Sequence, residues 1–172
     1  MHFFGIVLVE GPLLRSEAEA VVAPLLEPFR SIDGGAGKWD SWRIGGRYTG
    51  ALATGYDPLK DPMNYEPCGK CDGSGSRVFS PPGRPEIKSR PIRCEACLGQ
   101  GRKLLSATLW ATFDGDVVAV RKLGAVQARV IMTPDGEWHA RGRRTDQSWA
   151  SKMHELLREH HECTAVGVDF HL

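Results

Sequence analysis

CGKCDGSG at residues 68–75 and CEACLGQG at residues 94–101 decide how the rest of this chain is read. Both octets are Cys-x-x-Cys-x-Gly-x-Gly, so that four cysteines fall as C-x2-C-x22-C-x2-C. A Cys-x-x-Cys turn wraps one edge of a metal ion, and two such turns complete a tetrahedron of thiolates about 2.3 Å from zinc. One pair alone is weak evidence; two pairs at this spacing are specific. Gly73, Gly75, Gly99 and Gly101 stand at the same two offsets in each octet, where a backbone turning back over its own sulfurs needs φ > 0. The expectation is one structural zinc held by Cys68, Cys71, Cys94 and Cys97. Two disulfides are the competing reading. A redox pair lacks the strand-to-helix setting it would need, and a catalytic zinc needs an open position that four thiolates do not leave.

Composition changes on either side of the octets. From about residue 57 to 67 the chain turns to Asp, Pro and Asn, and apolar character returns with LLSATLWATF after Arg102. The stretch between has few large apolar residues and cannot fold by burial alone. The sequence therefore divides into a core domain, 1–56 with 107–172, and a zinc-binding hairpin insertion, 57–106. A length of 172 residues with 41% hydrophobic content suits one domain carrying such an insertion. With 22 Lys and Arg against 21 Asp and Glu, the net charge of +1 neither demands nor excludes a polyanionic partner.

Within the core domain, MHFFGIVLVE has an apolar run that is too short to span a membrane, with no basic segment before it and no cleavage site after it. It reads as a strand, and the protein as cytoplasmic, in a bacterial host. A helix follows with Ser16 as its cap and Glu19 closing a capping box. Ala18, Val22, Leu25 and Leu26 form its apolar face, and Pro24 lies off that face. KWDSWRI is a short strand ending at Gly45-Gly46. DVVAVRKL and AVQARVIM are strands, TPDGEWHA turns back on the second of them, DQSWASKMHELLREHH is a helix and TAVGVDFHL closes the chain as a strand. That order suits an α+β fold, an antiparallel or mixed sheet with two helices on one face in ferredoxin-like order.

Candidate sites lie on either side of the octets. WDSWRIGGRYTG brings Trp42, Arg43, Gly45, Gly46 and Arg47 together, aromatic faces and guanidiniums beside glycines that admit close approach. With Trp138 and His139 these form a candidate pocket for a nucleotide-like ligand. A strand with buried tryptophans and a glycine bulge explains the same residues. His139 and His171, if their strands were neighbours, would serve as acid and base on a phosphate ester. Between the octets, Arg84, Lys88, Arg90 and Arg93 make a basic finger able to touch nucleic acid; a solvated hairpin tip turning at Pro81-Pro82-Gly83 is the alternative. GGAGK at 34–38 lacks the residues of a phosphate loop. Cys163, the odd cysteine, reads as a small buried residue.

The two octets resemble the repeats of the DnaJ cysteine-rich domain, in which four repeats bind two zincs. Here two repeats imply one zinc, and the likeness covers residues 66–103. No His-Pro-Asp tripeptide and no Gly/Phe-rich region accompanies them, so the resemblance implies a metal site and no co-chaperone role. WDSWRIGGRYTG, YDPLKDPMN, TPDGEWH and VDFHL together resemble a group of uncharacterised proteins encoded by phages and prophages. That resemblance implies an accessory binding protein that inhibits or sequesters a host factor or a nucleotide-like ligand. The alternatives are a nucleotide- or phosphoester-processing enzyme using His139 and His171, and a nucleic-acid binder using the finger. Homo-oligomerisation is left open.

Overall fold

The structure is a computed structural model and describes residues 1–31, 37–79 and 90–172. In chain order these form β1 (His2–Val9), α1 (Arg15–Leu26), β2 (Ser41–Ile44), β3 (Tyr65–Pro67), β4 (Ser76–Phe79), β5 (Arg90–Arg93), β6 (Arg102–Leu104), β7 (Val117–Ala119), β8 (Val130–Met132), β9 (Trp138–Ala140), α2 (Asp146–Glu159) and β10 (Thr164–His171). Two compact units result, Met1–Tyr56 with Thr112–Leu172, and Asp57–Ala111.

In the first unit the sheet runs β2-β10-β1-β8-β9, with β7 also on β10. β1 pairs antiparallel with β10 over its whole length and parallel with β8, so the sheet is mixed. Placing β10 beside β1 and a parallel β8 on its other side gives an order different from the ferredoxin-like one.

The helices do not share a face, which corrects the expectation from the sequence. Side chains alternate across a strand, and Phe3, Val7 and Val9 pack with Ala18, Val22 and Leu26 of α1, whereas Phe4, Ile6 and Leu8 pack with Trp149, Met153 and Leu156 of α2. The reason is written in β1 itself. A strand covered on one face alternates apolar with polar, but FFGIVLV is apolar throughout, the pattern of a strand buried on both faces. Gly5 keeps the α1 side open for Phe170, whose ring comes within 2.5 Å of where a Cβ would stand.

α1 starts two residues earlier than Ser16 would place it: its cap is Leu14, whose amide donates to Glu17 at 3.4 Å. Thr145 caps α2 by accepting from the Ser148 amide at 3.2 Å. The hairpin β8–β9 closes through Thr133 and Gly136, whose φ of 85° suits glycine in a tight turn. DVVAVRKL gives only the three residues of β7, flanked by single 3-10 turns.

The second unit has two short antiparallel pairs, β3 with β6 and β4 with β5. Its buried apolar cluster among the described residues consists of Cys68, Cys71, Cys94 and Cys97 alone. Asn64, fully buried, ties its two ends. The side chain donates to the Pro58 carbonyl and accepts from the Ala111 amide, both at 2.9 Å, and its own carbonyl takes the Leu105 amide.

Candidate metal centre and ligand cleft

The two octets fold into the same knuckle twice and close on each other by exchange. Asp72 and Leu98, at matching positions, have φ of 47° and 49°, and the glycines that follow them, Gly73 and Gly99, both have φ of 78°. Within each knuckle the first of these glycines donates to the first cysteine's carbonyl: Gly73 to Cys68 at 3.3 Å, and Gly99 to Cys94 at 3.0 Å. Across the pair, Cys94 donates to the Gly75 carbonyl at 2.9 Å and Cys68 to the Gly101 carbonyl at 2.8 Å. A Cβ on Gly75 would stand 2.4 Å from the Gly99 oxygen, and one on Gly101 would stand 2.2 Å from the Gly73 oxygen. The second glycine of each octet is thus required by close backbone approach as well as by φ.

This closure brings four thiols together, with all Sγ atoms within 4.8 Å of one another. Across the knuckles, Cys68 and Cys94 sulfurs are 4.0 Å apart and those of Cys71 and Cys97 are 3.7 Å apart. Four sulfurs about 2.3 Å from a central ion in tetrahedral geometry have edges of about 3.8 Å, so the donor set fits such an ion. A disulfide needs sulfurs about 2.05 Å apart, and all four cysteines are free thiols.

The backbone is prepared for thiolate charge. The Gly101 amide donates to the Cys97 sulfur at 3.3 Å, and the Gly75 amide does the same for Cys71. Burial raises the Cys71 thiol, and with its hydrogen bonds to Cys97, Cys68 and Cys94 it is pushed up to about 11 despite that amide. For Cys97 burial, which raises it, is outweighed by the Gly101 amide and the neighbouring thiols, which hold it down to about 7. Thiols packed this closely do not all ionise unaided; a cation among them reverses that balance.

The first unit carries a cleft of about 840 Å³ on the α2 side of the sheet, a size suited to a small ligand. Phe4, Tyr48 and Trp149 give it aromatic walls, Arg129 and Arg141 its positive charge, and His2 lines it beside them. Asp169, 7% exposed, accepts from His2 Nδ1 at 2.8 Å and from the Arg47 amide at 3.0 Å. A carboxylate only accepts, so the His2 proton sits on Nδ1 and Nε2 is left as an acceptor. Arg141 is paired with Asp146 at 2.7 Å, whereas Arg129 has no carboxylate partner among the described residues. The Tyr48 hydroxyl is raised, mainly by burial and then by Asp169, with Arg47 and Arg129 opposing.

The residues singled out from the sequence do not gather here. Trp42 and Trp138 face α1 and pack on its core cluster, Trp138 against Phe29 and Phe170. Gly45 and Gly46 are packing devices, not ligand contacts: a Cβ on the first would lie 2.1 Å from the Asp116 carboxylate and one on the second 2.7 Å from that of Asp169. Arg43 lies on the α2 face, opposite Asp169 in register, and Arg47 is exposed. None of these residues, nor His139, lines the cleft.

The shared histidine site is likewise not formed. His139 on β9 pairs with Glu137 at 3.3 Å, while His171 on β10, bonded to Asp40 at 2.9 Å, is separated from it by both β1 and β8. That bond holds the Asp40 carboxyl below its usual value. The ring beside His171 is His2, with centroids 4.7 Å apart. Of the basic finger, Arg84 and Lys88 lie outside the described residues, as does most of GGAGK; Arg90 and Arg93 lie on β5.

His2, Tyr48, Arg129 and Trp149 were not marked by the sequence as one site. They come from four separate segments, and only the pairing of β1 with β10 and the docking of α2 bring them together. Among the described residues no helix is long and apolar enough to cross a membrane. Comparison of the chain with protein-family models, with curated proteins and with solved structures returns no match.

Proposed function

We propose that this is a binding protein in which one structural zinc, on Cys68, Cys71, Cys94 and Cys97, organises the Asp57–Ala111 unit, and in which the cleft of the other unit holds a small anionic ligand with a planar ring. Four thiolates at tetrahedral spacing are a donor set that suits zinc and close the ion off from water, so the metal has a folding role and no catalytic one. The ion would supply what the unit lacks, since its buried apolar cluster is the cysteines themselves.

The observation that carries the ligand reading is the cleft's chemistry: three aromatic walls with Arg129 unneutralised beside them. A nucleotide has both halves of the complement, a ring for the aromatic faces and a phosphate for the guanidinium. Sequestering such a ligand is the kind of accessory role that the likeness to phage proteins implies. Thermal shift against a nucleotide panel tests it. At least one nucleotide should raise the melting temperature, and Arg129→Gln should remove the rise; a panel with no effect, or one equally effective on the variant, contradicts it.

The His2–Asp169 pair favours a second reading, in which the cleft also turns its ligand over, with His2 Nε2 taking a proton from an attacking water. Chromatography of the same mixtures separates the two. Unchanged nucleotide supports binding alone, and product formation lost in His2→Gln supports turnover.

A further inference from the structure

We infer that one face of the β4–β5 ribbon, carrying Arg77, Phe79, Arg90 and Ile92, binds single-stranded nucleic acid. This rests on the second unit alone and is independent of the cleft. Register places Phe79 opposite Arg90 and Arg77 opposite Ile92, so these four share a face and Ser76, Val78, Pro91 and Arg93 share the other. Every residue of both strands is exposed, Phe79 at 42% and Ile92 at 37%. A two-stranded ribbon has no core of its own and gains nothing by displaying a phenylalanine to water unless something covers it.

Charge identifies the occupant. Residues 57–111 hold nine Lys and Arg against six Asp and Glu, although the whole chain is at +1. No acid occurs in β4 or β5. Arg93 is committed to the Leu98 carbonyl, its Nε donating at 2.7 Å, whereas Arg77 and Arg90 have no ion-pair partner among the described residues. An aromatic ring beside two guanidiniums that have no ion-pair partner among the described residues is a stacking platform with phosphate contacts next to it. In a duplex the bases are already stacked, and Phe79 would contribute nothing; a nonpolar protein groove would have to desolvate both guanidiniums. The ribbon is also held at its base, because β4 leaves from Gly75, β5 runs into Cys94, and those two residues are joined by the 2.9 Å amide–carbonyl bond.

The test uses the full metal-loaded chain and fluorescence anisotropy with a labelled oligothymidine of about 12 nucleotides and a duplex of equal length. Tighter binding of the single strand is expected. Phe79→Ala should weaken it about tenfold, the loss of one stacked base. Replacing Arg77 and Arg90 by Gln should lower the slope of log affinity against log salt by about 1.4, two phosphate contacts on a single strand. Val78→Ala, on the opposite face, controls for folding and should leave both readings unchanged. No binding at about 50 mM salt, preference for the duplex, capture of an acidic peptide in place of the oligonucleotide, or equal losses from Val78→Ala and Phe79→Ala would each overturn the inference.

Discussion

Alanine at Gly73 and alanine at Gly101 should differ sharply, although neither residue is a metal ligand and the two have almost the same backbone, φ of 78° and 75°. In both variants an L residue is forced into the left-handed region, at a cost of about 1–2 kcal/mol. At Gly73 nothing more is added, since the nearest atoms to a Cβ are 3.8 Å away. At Gly101 the Cβ would stand 2.2 Å from the Gly73 carbonyl oxygen, a backbone atom that cannot swing aside. The knuckles must then part. Moving Gly101 off Gly73 loosens the Cys68 amide bond to the Gly101 carbonyl, 2.8 Å, which runs across the knuckles, and shifts Gly101's own amide from the Cys97 sulfur, 3.3 Å, within its knuckle. With about 1 kcal/mol for the first and about 2 kcal/mol for the second, which faces a thiolate, the total is about 4 kcal/mol. Competition with a chromophoric chelator reads this directly. Apparent zinc affinity should fall about tenfold for Gly73→Ala and about a thousandfold for Gly101→Ala. Equal losses would refute the claim that close approach of the two knuckles, and not glycine's φ alone, fixes the repeat.

Asn64→Ala removes the side-chain bonds to Pro58 and Ala111 and should destabilise the second unit by about 2–3 kcal/mol. Asn64→Asp, which keeps the acceptor but buries a carboxylate against the Pro58 carbonyl, should cost more than Asn64→Ala at about pH 7; hydrogen exchange at the Ala111 amide resolves the series. Asp116 is raised chiefly by burial, against the hydrogen bonds from Thr49 and the Gly50 amide and the charge of Arg15. Its contribution is present below the ordinary 3.8 and is lost as pH rises through the raised value. Urea unfolding should therefore show Asp116→Asn gaining on the parent protein as pH goes from 4 towards 7; a difference constant over that range would contradict the burial argument. Gly45→Ala, with φ of 72° and its Cβ against the Asp116 carboxylate, should cost about 2 kcal/mol or more in the same assay.

What could be read from the sequence was what spacing alone encodes. The octets announce their knuckles because ligands and glycines recur at fixed local offsets, and the gathering of Cys68, Cys71, Cys94 and Cys97 follows from them. The α2 face was legible in Trp149, Met153 and Leu156, which recur at helical spacing. The opposite placement of α1 was present in FFGIVLV, where continuous apolarity meant two covered faces. Gly45 and Gly46 misled because a glycine that admits a ligand and one that admits a buried Asp look alike in sequence. Asn64, inside what reads as a linker, gave no signal, since its partners at Pro58, Leu105 and Ala111 are set by chain closure. The cleft was hidden for the same reason: Arg129 enters β8 and Tyr48 follows β2, and no periodicity links them.

The central claim is that four thiolates close one metal ion and that the second unit folds around it. Elemental analysis of protein purified without chelator, with free thiols counted before and after chelation, tests this most directly. The expected result is one zinc per chain, four further reactive thiols once the metal is stripped, and loss of amide protection confined to residues 57–111. Metal-free protein in which that unit stays protected, or cysteines found paired as disulfides, would contradict it.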